Sequence, residues 1–243
     1  MAHASITIAG ELIELLPERA VWWPATHTLL VADLHWGKLE TFTAHGVPLP
    51  TGIPLISELD RLAVALQRTG ARRLLILGDL IHAREGVTPD VVDIVADWRA
   101  HHPAVEMILV RGNHDRHLPL MPAVWQLDDH DDERRRGLMR EGPFAFVHEP
   151  QSVAGHYTFC GHTHPTAYIS GRGDALRLPC FRVGDAVMTL PAFSDFSDGS
   201  IVRPAATDRI FAVADDVVVE VPVRAAARMP DPRSNASSSY PPQ

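Results

Sequence analysis

The chain has 243 residues, room for one sizeable α/β or sandwich domain and too little for two. No apolar run approaches the roughly 20 residues of a membrane helix, and a formal net charge of −8 argues against a broad, salt-sensitive coat of nucleic acid. Two cysteines, Cys160 and Cys180, make a disulfide framework unexpected, and with no basic segment followed by an apolar core at the N-terminus the expected compartment is the cytoplasm.

Taken in chain order, Ser5-Ile6-Thr7-Ile8, Leu12-Ile13-Glu14-Leu15 and Ala20-Val21-Trp22-Trp23 read as short strands punctuated by Gly10 and Pro17. Leu29-Leu30-Val31-Ala32 then runs into Asp33-Leu34-His35, and a loop bearing Gly46, Pro48 and Pro50 is expected next. Residues 53 to 68 show Ile53, Ile56, Leu59, Ala63 and Leu66 on one helical face, with Gly70 as the stop. Leu74-Leu75-Ile76-Leu77 reads as a strand buried on both faces and ends in Gly78-Asp79, followed by Leu80-Ile81-His82. Thr88-Pro89-Asp90 is an N-cap, a proline at the first helical position and an acid in the first turn. The helix it opens turns Val91, Ile94, Val95 and Trp98 inward and ends before His101-His102-Pro103. This alternation of strand and helix is the βαβ rhythm.

Met107-Ile108-Leu109-Val110 feeds Arg111-Gly112-Asn113-His114-Asp115, and the charge block at 128 to 136 is expected as a solvated loop. Phe144-Ala145-Phe146-Val147 delivers His148, and Tyr157-Thr158-Phe159-Cys160 delivers Gly161-His162-Thr163-His164. Further strands are expected at 176 to 183, 186 to 190, 210 to 213 and 217 to 221. The Pro/Ser-rich stretch from Met229 is too poor in apolar residues to pack, so a domain over 1–228 with a disordered tail over 229–243 is expected. Of fourteen histidines, six (His35, His82, His114, His148, His162, His164) lie in or beside the ends of apolar strands. One strand ending in a carboxylate, amide or imidazole is ordinary; five ending in metal-ligand side chains are not.

Asp-x-His, Gly-Asp, Gly-Asn-His-Asp, a lone His and Gly-His-Thr-His, in that order and each after a strand, resemble the calcineurin-like metallophosphoesterase superfamily. The resemblance implies an α/β four-layer α-β-β-α sandwich and a hydrolase that works with two divalent ions about 3.5–4 Å apart. Carried over position by position, Asp33, His35 and His164 would hold one ion, Asn113, His148 and His162 the other, and Asp79 would bridge them. Mixed oxygen and imidazole donors suit manganese, with iron or zinc as alternatives. His114 follows ligand Asn113 and would face the substrate as the catalytic acid, with Asp115 orienting it. Cys160 reads as a small buried residue rather than a ligand. His82, Arg84 and Arg111 would either bind a phosphate or support the groups that do.

Val31 to Lys38, Gly78 to Arg84, Arg111 to His117, His148-Glu149-Pro150 and Arg177 to Phe181 with Leu190 to Phe193 are similar to one bacterial branch of that superfamily, the ligase-associated DNA damage response endonucleases. That likeness implies a phosphodiester substrate, DNA in particular, and association with an ATP-dependent DNA ligase, a helicase and an exonuclease. A small-molecule phosphodiesterase or phosphatase would keep the same centre with different cleft walls. A non-catalytic repair scaffold would be expected to lose ligands, and none of the seven positions is missing.

Overall fold

Short strands frame the fold, and central ones such as Thr28–Val31 and Phe144–Val147 are buried on both faces. The computed structural model describes residues 2–49, 51–118, 121–129, 132–170 and 175–223. The expected tail at 229–243 lies outside these residues.

The chain opens with an antiparallel meander, β1 (Ala4–Ile8), β2 (Glu11–Leu16), β3 (Ala20–Trp23) and β4 (Thr28–Val31). Helices α1 (Lys38–Ala44) and α2 (Ile53–Thr69) lead to β5 (Arg73–Ile76), and α3 (Pro89–His101) leads on to β6 (Glu106–Leu109) and β7 (Leu127–Asp128). From β4 to β7 the neighbours are parallel, completing a seven-stranded sheet in sequence order.

The one-turn helix α4 (Asp132–Arg135) and β8 (Leu138–Glu141) precede β9 (Phe144–Val147) and β10 (Tyr157–Cys160). The chain then adds β11 (Pro165–Ser170), β12 (Ala175–Val183), β13 (Val187–Thr189), β14 (Ser200–Ile201), β15 (Arg209–Ala214) and β16 (Val217–Val221). These nine strands form a second, mixed sheet in which β10 lies parallel between β9 and β13.

Alternation along β4, β5 and β6 explains the layering, because successive side chains of a strand point to opposite faces. Leu29, Val31, Leu74, Ile76, Met107 and Leu109 pack with α2 and α3. Leu30, Leu75 and Ile108, with Leu77 and Val110 just beyond the strands, pack instead against Phe144, Phe146, Phe159 and Phe181 of the second sheet. The class is α/β with two stacked sheets, as expected, and helices cover the outer face of the first. Against the second sheet the described residues place only α4, beside β8.

Four local expectations change. Residues 38–44, read as loop, form α1. The charge block is only partly a solvated loop: it contains α4, and Asp129 within it is buried. The strands β7, β8, β11 and β14 carry too few apolar residues to announce themselves. On α2 the buried stripe is Leu55, Glu58, Leu59, Leu62, Ala65 and Leu66, whereas Ile53 and Ile56 are 71% and 48% exposed. The helix has two apolar stripes, and the one richer in leucine meets the sheet. Helix α3 starts as read, with Thr88 Oγ1 accepting from Val91 N at 3.3 Å, and runs on through His101.

Phe146 is fully buried between the sheets, near-stacked on Phe159 at 5.8 Å. Replacing it with alanine should lower unfolding stability by about 3–5 kcal/mol, read from urea midpoints at unchanged slope. A loss under 1 kcal/mol would mean that the inter-sheet core is not closed here.

Candidate metal centre

The parallel strands β4, β5 and β6, with β9 and β10 across the core, all end on one rim of the sandwich. The first residues past those ends have no ladder to join. Instead the loops bond to one another: Asp33 N to Gly78 O at 3.1 Å, His35 N to Asp79 O at 2.9 Å and Trp36 N to Leu80 O at 2.8 Å. Asp33, His35, Asp79, His162 and His164 are held at positive φ, between 45° and 72°. Left-handed backbone costs a non-glycine residue about 1–3 kcal/mol, and Asp and His bear it better than most. Half of the ten described non-glycine residues with positive φ are therefore concentrated in five side chains that meet at one point.

The glycines beside them are required by close approach. A Cβ on Gly112 would run into the Asp79 carboxylate, and one on Gly161 would stand 2.5 Å from Asp33 Oδ2. Each motif glycine thus makes room for the acid of a different motif.

Besides the ring nitrogens of His35, His82 and His114, which also gather, two groups of donor atoms combine carboxylates with imidazoles. In one, Asp33, His35 and His164 converge, with His164 Nε2 at 3.3 Å from both Asp33 Oδ1 and His35 Nε2. In the other, Asp79, His148 and His162 converge, with His148 Nε2 at 3.2 Å from Asp79 Oδ2, 3.0 Å from Asn113 Oδ1 and 3.1 Å from His162 Nδ1. Asp33 links the two: its carboxylate accepts from His162 N at 2.9 and 3.1 Å and lies 3.9 Å from His148 Nδ1. All seven positions singled out in the sequence therefore meet in one place, with Asp79 beside His148 and His162 and Asp33 between the two groups.

The donor set fits a metal on its chemistry. His148 Nδ1 donates to Leu77 O at 2.9 Å and His164 Nδ1 to Asp198 O at 3.2 Å, which turns each Nε2 toward the centre. Carbonyls that fix the outer nitrogen in this way are the usual support of ligating histidines. What converges inside is two carboxylates, an amide oxygen and imidazole nitrogens, many lone pairs and few protons. The centre responds as such a place must. Burial alone would lower His148, but its bond to Asp79 and the charge of Asp33 override burial and hold it up at about 8. Burial would raise Asp79, yet the bond to His148 brings it down to about 2. Burial likewise works to lower His164, and Asp33 raises it in spite of that. His35 goes the other way: burial pushes it down to about 2, so it stays neutral. A proton held on His148 thus does part of what a cation would do, and the acids around His164 favour its charged form in the same way.

His114 sits at the mouth. Its Nδ1 donates to the His82 carbonyl at 2.6 Å, its Nε2 lies 3.8 Å from Asp79 Oδ2, and its ring stacks on His82 at 5.2 Å. Asp115 corrects an expectation. Its carboxylate does not orient His114; it accepts from the backbone amides of Gly112 at 3.0 Å, Ile81 at 3.1 Å and Leu80 at 3.3 Å. Those amides are buried past the strand ends and must be paired, so the fully buried Asp115 ties the loop after β5 to the loop after β6. Arg111 corrects another. It is buried against Asp129 and bonds the carbonyls of Leu118 at 2.6 Å and Asp115 at 3.1 Å, so four of its five N–H donors are spent inside the protein rather than on a substrate. Arg84 stands exposed on the 3₁₀ turn Arg84–Gly86 that packs on α1, and His82 is half-buried beside His114. Cys160 faces Met188 O at 3.3 Å, and burial pushes its thiol up to about 12, as a packing residue requires.

The carbonyls of Leu77, His82 and Asp198 orient the histidines, and none could be read in advance because a backbone oxygen has no sequence signature. The loop at 193–198 was also missed. Arg19 and Arg61 clamp it through Asp195 at 2.8 and 2.7 Å, and Lys38 bonds Phe196 O at 2.6 Å. Phe42, 38% exposed, and Phe196, 47% exposed, stand beside His82 and His35 on the walls.

Residues 26–198 match the family model for calcineurin-like phosphoesterases. The chain belongs to that family, and as such it is a metal-dependent phosphoesterase hydrolase. Among solved structures it is similar to that of the Pseudomonas putida nuclease MPE, at 35% identity over 90% of this chain and 100% of that one, with a TM-score of 0.76. It also aligns with Yfce, a phosphoesterase from E. coli, at 16% identity over 82% and 98% of the two chains, but a TM-score of 0.37 carries no argument. No curated protein matches the chain. No helix among the described residues is long and apolar enough to cross a membrane.

A divalent ion can use Nε2 of His148 or His164 only after the proton has left. Binding should therefore release protons, and affinity should rise with pH as His148 passes through its value of about 8. Calorimetry with manganese in buffers of different ionisation enthalpy reads the release directly. Enthalpies independent of buffer, or affinity flat between pH 6 and 9, would contradict this picture.

Proposed function

We propose that this chain is a dinuclear-metal phosphodiesterase, with Asp33, His35 and His164 holding one ion, Asn113, His148 and His162 the other, and Asp79 serving both. The observation that carries the reading is the pair of adjacent lone-pair clusters sharing Asp33 as a wall, with the His114 imidazole at their common mouth. Manganese suits the mixed oxygen and nitrogen donors, and iron or zinc are the alternatives. Such ions supply positive charge to the phosphate and an activated water.

The chain's own contribution lies in what surrounds them. Two carboxylates among seven ligands leave a pair of dications with net positive charge, so a phosphate is drawn to the mouth. As the P–O bond to the leaving group breaks, the departing alkoxide needs a proton. His114 supplies it from Nε2 while the His82 carbonyl keeps Nδ1–H in place. Asp115 acts at a distance, by fixing the loops that carry Asp79, Asn113 and His114.

DNA is the substrate we favour, because the similar solved structure is named a nuclease and the motifs resemble endonucleases of DNA damage response. Association with an ATP-dependent DNA ligase, a helicase and an exonuclease follows from the same resemblance, and two free, buried cysteines suit a reducing cytoplasm. With Arg111 withdrawn, cationic contacts near the mouth reduce to Arg84, Lys38 and Arg116, the last paired with Glu149 at 3.2 Å. Binding should rest on the metal centre and few phosphates, giving a shallow salt slope.

A nuclease assay on single-stranded, nicked and duplex DNA, with manganese and with chelator, tests the proposal alongside bis-p-nitrophenyl phosphate. Manganese-dependent cleavage of DNA with two metal equivalents per chain is expected. Turnover of the small diester with no DNA cut would assign a small-molecule enzyme, and faster monoester than diester turnover would refute the phosphodiesterase. His114→Ala should keep its metals yet lose about 100- to 10,000-fold in DNA cleavage. The deficit should shrink for the p-nitrophenolate ester, whose leaving group needs no proton. Equal losses on both substrates would leave His114 a phosphate-positioning role only.

A further inference from the structure

Helices α2 and α3 lie side by side on the outer face of the first sheet and are pinned together at the base, where Trp98 Nε1 donates to Leu59 O at 3.0 Å. Above that pin they diverge. The cleft between them has a volume of about 530 Å³, with Leu59 and Trp98 as floor and Ile56 and Ile94 as walls. Ile94 also lines a second cleft of about 570 Å³ that continues toward α1 and the N-terminus of α3. The two clefts meet at Ile94. Ile56 is nearly half exposed, and Ile53, one turn before it, is the most exposed of the large apolar residues described. An apolar strip of this kind beside water marks a contact surface.

Its charge is one-sided. Asp60, Asp93 and Asp97 rim the first cleft and Glu40, Glu85 and Asp90 the second, while no lysine or arginine lines either among the described residues. Six carboxylates exclude a phosphate backbone from this face. They equally disfavour an acidic polypeptide. Glu40 accepts from Gly52 N at 3.2 Å, and His101 places Nδ1 at 3.8 Å from Asp97 in an exposed, weak contact.

We propose that the α2–α3 groove docks a cationic amphipathic segment of a partner protein, its apolar face on Leu59, Ile56, Ile94 and Trp98 and its arginines or lysines against the six carboxylates. Thirteen residues of α3 span about 20 Å, the length of an amphipathic helix of three to four turns, which is a common occupant of such a groove. Complementary charge sets the register and rate of encounter, and the apolar floor supplies the hold. The groove shares no residue with the metal centre, so this inference stands whether or not the substrate is DNA.

The test uses the full chain and a labelled 15-residue helical peptide with leucine and isoleucine on one face and arginine on both flanks, read by fluorescence anisotropy. A second peptide carries glutamate for each arginine. The arginine peptide should bind, and binding should weaken about tenfold or more in the double variant Asp60→Lys, Asp97→Lys and with the glutamate peptide. Both substitutions lie on exposed helix positions, so the turnover of bis-p-nitrophenyl phosphate and the thermal midpoint should not move. Equal affinity for the two peptides, unchanged affinity in the double variant, or no binding at about 100 μM would overturn the proposal. So would wild-type self-association abolished by the double variant, which would make a second copy of this chain the occupant.

Discussion

Too many lone pairs and too few protons meet at one end of this molecule, and the rest of the structure follows from that constraint. Asp33, Asp79, Asn113 and the histidines around them cannot satisfy one another as hydrogen-bond partners, because nearly all of them are acceptors at the atoms that converge. Burial makes the conflict worse, since Asp33, Asp79 and His148 are almost wholly cut off from water. The surplus favours positive charge at the centre, whether a proton on His148 or a bound cation. A centre of this kind stabilises the fold only with its ions, so metal affinity and folding are linked.

Holding such a centre together takes a frame that does not yield. The parallel strands provide it by ending together, which brings loops from distant parts of the chain within bonding distance without long excursions. Asp115 then uses a buried carboxylate to close two of those loops, and burial raises its pKa despite three amide donors. The energetic logic is that of an N-cap placed between loops: orphan amides past the strand ends gain a partner. Left-handed backbone at five converging side chains places strain where the side chains must be aimed, and five further described positions outside the centre carry the rest.

Much of this was legible in the sequence. Runs such as Leu74 to Leu77 announce strands buried on both faces, and an acid or imidazole directly after each run places it on the rim. That pattern gathers the candidate side chains, and the resemblance to the calcineurin-like metallophosphoesterases picks the seven from among them. Other features leave weaker traces. Ile53 and Ile56 look like core because apolar residues at helical spacing are ambiguous when a helix carries two stripes. Arg111 looks like a phosphate ligand because arginine beside a motif offers the same fork to a phosphate and to Asp129. Asp115 looks like the partner of His114 because sequence neighbours suggest contact, whereas the 3₁₀ turn at Asp115–His117 sends its side chain under the loops instead. Backbone carbonyls that orient histidines leave no trace at all.

The distribution of charge separates two tasks on one small domain. At the mouth, cationic side chains are few, and Arg19, Arg61 and Lys38 are engaged with the 193–198 loop that supports His164 through Asp198. Attraction for an anion must then come from the ions in the centre, whose field is short-ranged beside a chain of net charge −8. On the outer helical face the same negative charge stands beside apolar side chains, where it repels phosphate and selects for basic groups. An anionic substrate is thereby confined to the rim that can act on it, and the helical face is left free for a different kind of contact. The excess of acids is thus a way of sorting partners by sign, one that leaves catalysis dependent on bound metal for its positive charge.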